Sequence, residues 1–450
     1  MDAPVRALLE SLAGHAAPAG LAVAFSGGRD STVLLHAAAR TAGRLPALRA
    51  LHVDHGLHAD APRWRAHCAA TCSVLGVPFT ALAVDARPAR GESPEAAARA
   101  ARYAALAGVL APGEWLLTAH HRDDQAETLL LQLLRGAGVS GLAAMPARAR
   151  FAGGWLVRPL LDLDRAALAA YAAAHDLAWC EDPDNAGQAR DRNFLRHEIL
   201  PRLARRWPAA ARCLARSAAH CAEADGLLDA LACGDLAHLV EPQRPAELPV
   251  AALGRLPPPR RRLLLRHWLD QLGLPRPGQR VLARIEHEAL GAARDRNPWV
   301  AWPGGEVRRY RGLLHARIPA ADPTPSPQAW DPAAELRLPG GRLRAEPALG
   351  AGLALARLGD RPLTVRPRVG GERLRLPGRR TRPLKKLLQE AGVPPWRRAG
   401  LPLIYVGEAL AAVADLWVAE GFQAVADEPG LRLRWHETTA SRAVSANVSD

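Results

Sequence analysis

Lysine is almost missing from this chain. Lys385 and Lys386 are the only two among 59 basic residues, and the other 57 are arginines. A Walker-type loop needs Gly-Lys-Ser/Thr, its lysine reaching the terminal phosphates, so that kind of nucleotide site is excluded. Cysteine is sparse and scattered: Cys68, Cys72, Cys180, Cys213, Cys221 and Cys233 include no Cys-x-x-Cys pair. Such spacing suits small buried residues in a reducing compartment better than a zinc site, a cluster or a disulfide framework. Aromatic residues make up 5% of the chain, so its core must be built from Leu, Val and Ala. No run of about eighteen apolar residues occurs, so no membrane-spanning helix and no membrane partner are expected. Asp2 and Glu10 lie in the N-terminal stretch that leads to the first apolar strand. That argues against a cleaved signal, and a cytoplasmic location is expected.

What is present is positive charge and room for several domains. At 450 residues the chain can hold about three domains. Its net charge of +14 predicts a polyanionic partner. The excess is uneven, since residues 357–398 carry 13 Lys/Arg against 3 Asp/Glu. Two adjacent lysines kept in so arginine-rich a chain hint that a compact ammonium is wanted there.

The strongest local signal is Leu21-Ala-Val-Ala-Phe-Ser-Gly-Gly-Arg-Asp-Ser-Thr-Val-Leu-Leu-His36. It reads as a strand, a turn of small residues, then a helix. Gly27 and Gly28 allow backbone conformations closed to residues with a Cβ and a close approach to a ligand. The amides of residues 26–31 can converge on an anion at the positive end of the helix. No glycine follows three residues after Gly28, so the dinucleotide pattern fails. After this loop, apolar segments alternate: strands at 47–53, 78–84 and 114–119, helices at 62–75, 94–110 and 123–135. Alternation of this kind predicts an α/β fold, a parallel sheet with helices on both faces, with ligands beyond the carboxyl ends of the strands. The chemistry-bearing words fall at those ends: residues 26–31, His52-Val-Asp-His-Gly56, and Thr118-Ala-His-His-Arg-Asp-Asp-Gln-Ala-Glu127.

Asp54 can face a nucleotide ribose or simply close an Asx turn. Glu95, Arg99 and Arg102 recur at helical spacing and share a face, either as a solvated salt-bridge ladder or as arginines presented to phosphates. His120, His121, Asp123, Asp124 and Glu127 crowd one strand end. A carboxylate there, Glu127 in first place, together with Asp30 could hold Mg²⁺, which favours oxygen ligands and bridges phosphate oxygens. Further along stand Leu131-Gln-Leu-Leu-Arg-Gly-Ala-Gly-Val-Ser-Gly-Leu-Ala-Ala-Met-Pro146, which leaves a helix into a Gly-rich loop expected to be mobile, Trp155-Leu-Val-Arg-Pro-Leu-Leu161, Glu181-Asp-Pro-Asp-Asn185, Arg190-Asp-Arg-Asn-Phe-Leu-Arg196, Arg368-Val-Gly-Gly-Glu-Arg-Leu-Arg-Leu-Pro-Gly378 and Arg382-Pro-Leu-Lys-Lys-Leu-Leu-Gln389.

The Ser-Gly-Gly-x-Asp-Ser loop resembles that of the N-type ATP pyrophosphatases. Taken with His-His-x-Asp-Asp-Gln-x-Glu-Thr and the later motifs, residues 20–425 closely resemble the bacterial tRNA(Ile)-lysidine synthase family. The resemblance implies a Rossmann-related nucleotide fold and a reaction in two steps. ATP adenylates the C2 oxygen of the wobble cytidine of a CAU-anticodon tRNA(Ile), and free L-lysine then displaces AMP. It implies that Ser26, Gly27, Gly28, Arg29, Asp30 and Ser31 hold pyrophosphate, with Asp30 and Glu127 near Mg²⁺. His120 and Asp124 would be the active-site pair. Arg192 would stabilise the adenylate, with Arg196 as second choice. Arg99, Arg102, Arg196, Arg379, Arg380, Lys385 and Lys386 are the candidates for gripping tRNA.

The boundaries expected are a catalytic domain at 1–214, a helical substrate-binding domain at 215–316, a Pro-rich linker at 317–334, a basic mixed α+β domain at 335–436 and a polar tail at 437–450. The nearest rival is a tRNA thiolase of the same superfamily, which generally needs a reactive cysteine or a cysteine-bound cluster. Small-molecule synthetases of this type leave the basic C-terminal segment unexplained. A non-catalytic RNA-binding protein leaves the acid cluster unexplained.

Overall fold

Strand β1 (Gly20–Ala24) shows how the first part of the chain is layered. Side chains of a strand alternate between faces. Leu21 and Val23 enter one apolar cluster with Val33, Leu34 and Cys68, and Ala22 enters another with Leu51, Leu106 and Leu116. A strand buried on both faces belongs at the centre of a parallel sheet. In the computed structural model it does. The structure describes all residues except 15, 57, 59, 89–92, 182–186, 188–190, 294–295, 320–325, 360 and 438–450, and the side chains of 42 and 94. The motif at 181–185 therefore lies outside the described residues beyond Glu181, as do Arg190 and the tail after Glu437.

The chain forms two compact units, Met1–Leu231 and Ala232–Arg442. In the first, α1 (Ala3–Leu12), α2 (Arg29–Ala39), β2 (Leu48–Asp54), α3 (Ala61–Leu75), β3 (Phe79–Ala83), α4 (Pro94–Val109), β4 (Glu114–Leu117) and α5 (Arg122–Leu134) follow in order. A single turn α6 (Val139–Leu142), a hairpin of β5 (Arg148–Phe151) and β6 (Gly154–Val157), and α7 (Arg165–Ala174) come next. Then α8 (Asp191–Phe194), one π-helical turn (Leu195–Ile199) and α9 (Leu200–Arg206) lead to the long α10 (Ala210–Leu239). The sheet order is β3-β2-β1-β4-β6-β5. All neighbours are parallel except β5, which runs antiparallel to β6 at the edge. The α/β reading with a parallel sheet is correct. The order turns outward in both directions from β1, so the β1/β4 crevice is the topological switch point where ligands bind in such sheets.

The Gly-rich loop is anchored at its far end, at Met145. Gln125 donates from Nε2 to the Met145 carbonyl and accepts from its amide, both at 2.9 Å, and Met145 is 1% exposed. A side chain that replaces two backbone hydrogen bonds fixes a loop as a strand partner would.

The second unit adds strands where helices alone were read. Besides helices such as Pro258–Gln271, it has a four-stranded sheet built from β7 (Glu247–Pro249), β8 (Trp299–Trp302), β9 (Gly305–Tyr310) and β10 (Leu313–Arg317). Gln328–Trp330, inside the stretch expected to be linker, is a strand paired with Leu363–Arg366, and Trp330 is buried. The basic C-terminal part is mixed α+β. Gly341–Leu349 pairs along its length with Pro429–Glu437, and helix Leu384–Glu390 packs through Leu384, Leu387 and Leu388. Among the described residues, no helix is long and apolar enough to cross a membrane.

Candidate active site

The loop after β1 needs glycine at one position of its pair. Gly27 has φ +84°, and a Cβ there would lie 2.8 Å from Cys68 Sγ. Gly28 is different: at φ −75° it is the N-cap of α2, a conformation open to any residue. Its lack of a side chain keeps the space over the loop clear. Ser31 Oγ donates to the Gly28 carbonyl at 2.9 Å and lies 3.0 Å from Ser26 Oγ. Thr32 Oγ1 donates to the same carbonyl at 3.0 Å. The first amide to bond within the helix is that of Thr32, to Gly28. The amides of Arg29, Asp30 and Ser31 precede it and have no intrahelical acceptor. They form an anion cradle at the positive end of an eleven-residue helix.

Beside the cradle stands a buried imidazole with carboxylates around it. His121, 1% exposed, places Nε2 3.4 Å from Oδ2 of Asp30 and 3.4 Å from Oδ2 of Asp124. Its Nδ1 lies 3.6 Å from Oδ2 of Asp123. Burial disfavours the charged ring, but the hydrogen bond with Asp30 and the charges of Asp124 and Asp30 outweigh it and raise the pKa. The acids respond in kind. Burial opposes their ionisation, yet His121 holds Asp30 below the usual range, and His121, His120 and Arg192 bring Asp124 to about 2. One imidazole nitrogen thus links Asp30 on α2 to Asp124 on α5.

His120 is the opposite case. Burial holds its ring well below the ordinary histidine pKa; Asp124 pulls upward, and Arg158, Arg192 and Arg102 push further down. Nδ1 is 3.0 Å from Thr118 Oγ1. Two adjacent imidazoles are thus shifted in opposite directions, His120 toward the neutral form and His121 toward the protonated one.

Glu127 has no exposed surface, and guanidinium groups enclose its carboxylate. Arg196 donates from Nε to Oε1 at 2.7 Å and from Nη2 to Oε2 at 2.9 Å, and Arg192 Nε donates to Oε2 at 3.0 Å. Arg165 Nη2 stands 3.6 Å from Oε1. Glu127 was expected beside Mg²⁺; both of its oxygens accept charge-assisted hydrogen bonds from arginine in this structure. Asp30 differs from Glu127 in exposure, although Arg29 and His121 face its oxygens. It is partly exposed beside the cradle, and its Oδ2 converges with that of Asp124 on the point His121 Nε2 occupies.

The candidate residues of the first unit thus come together. Ser26, Gly27, Gly28, Arg29, Asp30 and Ser31 form the cradle, Arg29 Nε donating to Asp30 Oδ1 at 3.0 Å. Arg196 Nη2 donates to Asp124 Oδ1 at 3.0 Å, so this guanidinium bridges both acids of α5. Arg99 and Arg102 do not stand apart on a solvated ladder: burial lowers the pKa of Arg99, and Arg102 and Arg192 add to it. Arg102 is felt at His120 as well. Asp54 closes an Asx turn, its Oδ1 accepting from the Gly56 amide at 2.9 Å. Arg379, Arg380, Lys385 and Lys386 belong to the second unit and are all exposed. The sequence reading gave His121 no role of its own and passed over Arg158. Arg158 is 2% exposed, and its Nη1 donates to the Pro146 carbonyl at 2.7 Å; burial brings its pKa down to about 10. An arginine inside Trp155-Leu-Val-Arg-Pro-Leu-Leu161 was the available signal. Cys68 and Cys72 of α3 are poor nucleophiles, burial pushing Cys68 to about 12 and Cys72 to about 11.

Known proteins match these same segments. A family described as a PP-loop domain matches residues 1–203, a TilS substrate binding domain matches 248–315, and a TilS substrate C-terminal domain matches 363–435. A tRNA(Ile)-lysidine synthase of Methylococcus capsulatus is 46% identical over 420 residues, covering 92% of this chain and 95% of its own. One from Pseudomonas aeruginosa is 46% identical over 455 residues, covering 97% and 98%. One from Coxiella burnetii is 44% identical over 414 residues, covering 91% of each. With a lysine-free anion cradle, an acid cluster tied to it and relatives spanning nearly its whole length, this chain belongs to the tRNA(Ile)-lysidine synthase family.

Proposed function

We propose that this enzyme joins L-lysine to C2 of the wobble cytidine of CAU-anticodon tRNA(Ile), consuming ATP and releasing AMP and pyrophosphate. The observation that carries the reading is the β1/β4 crevice. There a cradle with no lysine carries Asp30, whose Oδ2 shares His121 Nε2 with Asp124, and Arg158, Arg192 and Arg102 lie near enough to His120 to act on its charge. The cradle amides hold the β- and γ-phosphates, leaving the α-phosphorus to the crevice. The cytidine O2 attacks it and pyrophosphate departs. The ε-nitrogen of lysine then bonds to C2, and the C2–O bond breaks with AMP as leaving group.

The amine must lose a proton, since it is mostly charged at pH 7. His120 is the acceptor, oriented through Thr118, while Asp124 holds the ammonium beside it. Burial and the surrounding guanidinium groups depress His120 in the free enzyme, and the phosphate of the adenylated cytidine offsets the guanidinium share, making the ring a better base once that intermediate has formed. Arg192, fixed by Glu127, faces the adenylate phosphate with an always-charged fork. Mg²⁺ bound by Asp30, with Asp124 next to it, would neutralise phosphate oxygens and the departing pyrophosphate. Such a reaction belongs in the cytoplasm.

The test is transfer of labelled lysine to a tRNA(Ile) transcript with cytidine at the wobble position. Label should enter the RNA with stoichiometric AMP, and a transcript lacking that cytidine should take none. The Asp30→Ala enzyme should be slower by about a hundredfold or more, as when charge stabilisation at a transferred phosphoryl group is removed. ADP as product, or undiminished activity of the variant, would end this reading.

The second unit supplies grip on the tRNA. Arg379 and Arg380 lie between strands Arg373–Leu374 and Arg382–Pro383, and Lys385 and Lys386 open the helix that follows. Cations in a first helical turn oppose the helix dipole, so their place there serves something other than helix stability. Reversing all four charges should raise the Michaelis constant for tRNA at least tenfold. The salt slope of binding should also flatten by about one per lost phosphate contact. Steady-state kinetics across a salt series checks both.

A further inference from the structure

A second basic surface lies in the first unit, next to the catalytic arginines, and the C-terminal module does not account for it. From residue 199 to residue 222 the chain contains no Asp or Glu, while Arg202, Arg205, Arg206, Arg212 and Arg216 are all exposed. Arg202 is paired with Glu198 at 3.0 Å. Among the described residues, no carboxylate pairs with Arg205, Arg206 or Arg212. At the corner between α9 and α10 stands Trp207, 58% exposed, with the Arg206 guanidinium carbon 5.8 Å from its ring centroid.

Helix stability explains part of this set at most. Arg205 and Arg206 end α9, where cations are favoured. Arg212 sits in the first turn of α10, a turn without any acid, and Arg216 follows one turn later. Cations at that end oppose the dipole. A large indole left in water gains nothing from burial.

We propose that residues 202–216 form a docking surface for the anticodon stem–loop, with Trp207 stacking on an unpaired base and the free arginines on backbone phosphates. Continuity with the active site supports RNA as the occupant. The helical run that carries Arg192 and Arg196, clamped by Glu127, continues through the π-turn into α9. Fourteen residues separate Arg192 from Arg206, roughly 20 Å at about 1.5 Å per residue. That is about six stacked nucleotides at about 3.4 Å each, within the same stem–loop as the reacting base. Arginine with an exposed aromatic is the usual platform for single-stranded nucleic acid. The proposal rests on the lysidine-synthase reading for the identity of the RNA.

The experiment measures binding of a labelled anticodon stem–loop oligonucleotide, and of a loopless duplex of the same stem, to the full-length enzyme. Arg205→Glu with Arg206→Glu should weaken stem–loop binding about tenfold or more and flatten its salt dependence. Trp207→Ala should weaken stem–loop binding about tenfold and leave the duplex unchanged. Unaltered binding of an ATP analogue and an unaltered melting temperature establish that the variants are folded. Stem–loop affinity unchanged by the arginine reversal, or a Trp207→Ala loss that is absent or equal on both RNAs, overturns the surface. A parent enzyme that shows the expected binding pattern but transfers no lysine upholds the surface and sinks the reaction instead. Lysine transfer with unaltered variant binding sinks the surface alone.

Discussion

Glu127→Ala is expected to destabilise the catalytic unit by about 3–5 kcal/mol, the range for removing one partner of a buried ion pair. Glu127 is fully enclosed, and its neighbours cannot adjust by losing a proton, because arginine stays charged at any pH the fold survives. Without the carboxylate, Arg192 and Arg196 converge on a cavity with like charges, Arg165 close behind. Glu127→Gln keeps the volume and one acceptor but turns an amide NH₂ toward guanidinium donors, so its loss should fall between those of the parent and the alanine variant. Urea unfolding without divalent ions gives the measurement. A metal ligand would behave differently: its removal would leave the metal-free protein as stable as before and change only the Mg²⁺ dependence of activity. Turnover should fall further than stability in both variants, since Arg192 loses the group that aims it. An alanine variant as stable as the parent without metal would show that the arginine clamp is not what Glu127 is for.

Glu127 also marks where the sequence stops being informative. The order of strands and helices in the catalytic unit was legible because apolar runs there alternate with helical periodicity and the turns carry Gly, Ser and Asp. The location of the site was legible for a related reason: its polar words all sit at carboxyl ends of strands. What a sequence does not encode locally is which side chains meet. Arg192 and Arg196 lie 65 and 69 residues from the acid they clamp. Read along α5, Glu127 is an acid one turn from Asp123 and looks like a metal ligand; only the approach of a second helix reveals its arginines. His120 and His121 are adjacent and identical in type, yet burial and distant arginines lower the pKa of one while Asp30 of α2 and Asp124 of α5 raise that of the other. The sheet of β7 to β10 was missed for another reason. Its strands are short and rich in Arg and Trp, and the Pro303-Gly304-Gly305 turn between Val300 and Val307 was the hairpin signal left unused.

The charged histidine leads to the other large effect, and it depends on pH. His121→Asn should be most destabilising below pH about 6.5, because it removes the imidazolium from among partly buried carboxylates. The folded protein raises the pKa of His121 above its ordinary value of 6.5. The stability this proton contributes is therefore fully present below 6.5, where the unfolded chain also binds it, and is lost as pH rises through the folded value. Asp30 and Asp124 have lowered pKa values, so both stay ionised throughout that window. His120 works in the other direction. Held neutral in the fold, it contributes stability above 6.5 that is lost as pH falls toward its depressed value. The parent protein, free of nucleotide and divalent ions, should therefore lose stability on both sides of about pH 6.5. The variant keeps the acid-side loss due to His120 and lacks the alkaline-side loss due to His121. Denaturant unfolding of both proteins from pH 5 to pH 9 should give curves that converge as pH rises. Parallel curves would mean that His121 is neutral in the fold, and the link between the phosphate loop and the acids of α5 would then be an ordinary hydrogen bond rather than a shared charge.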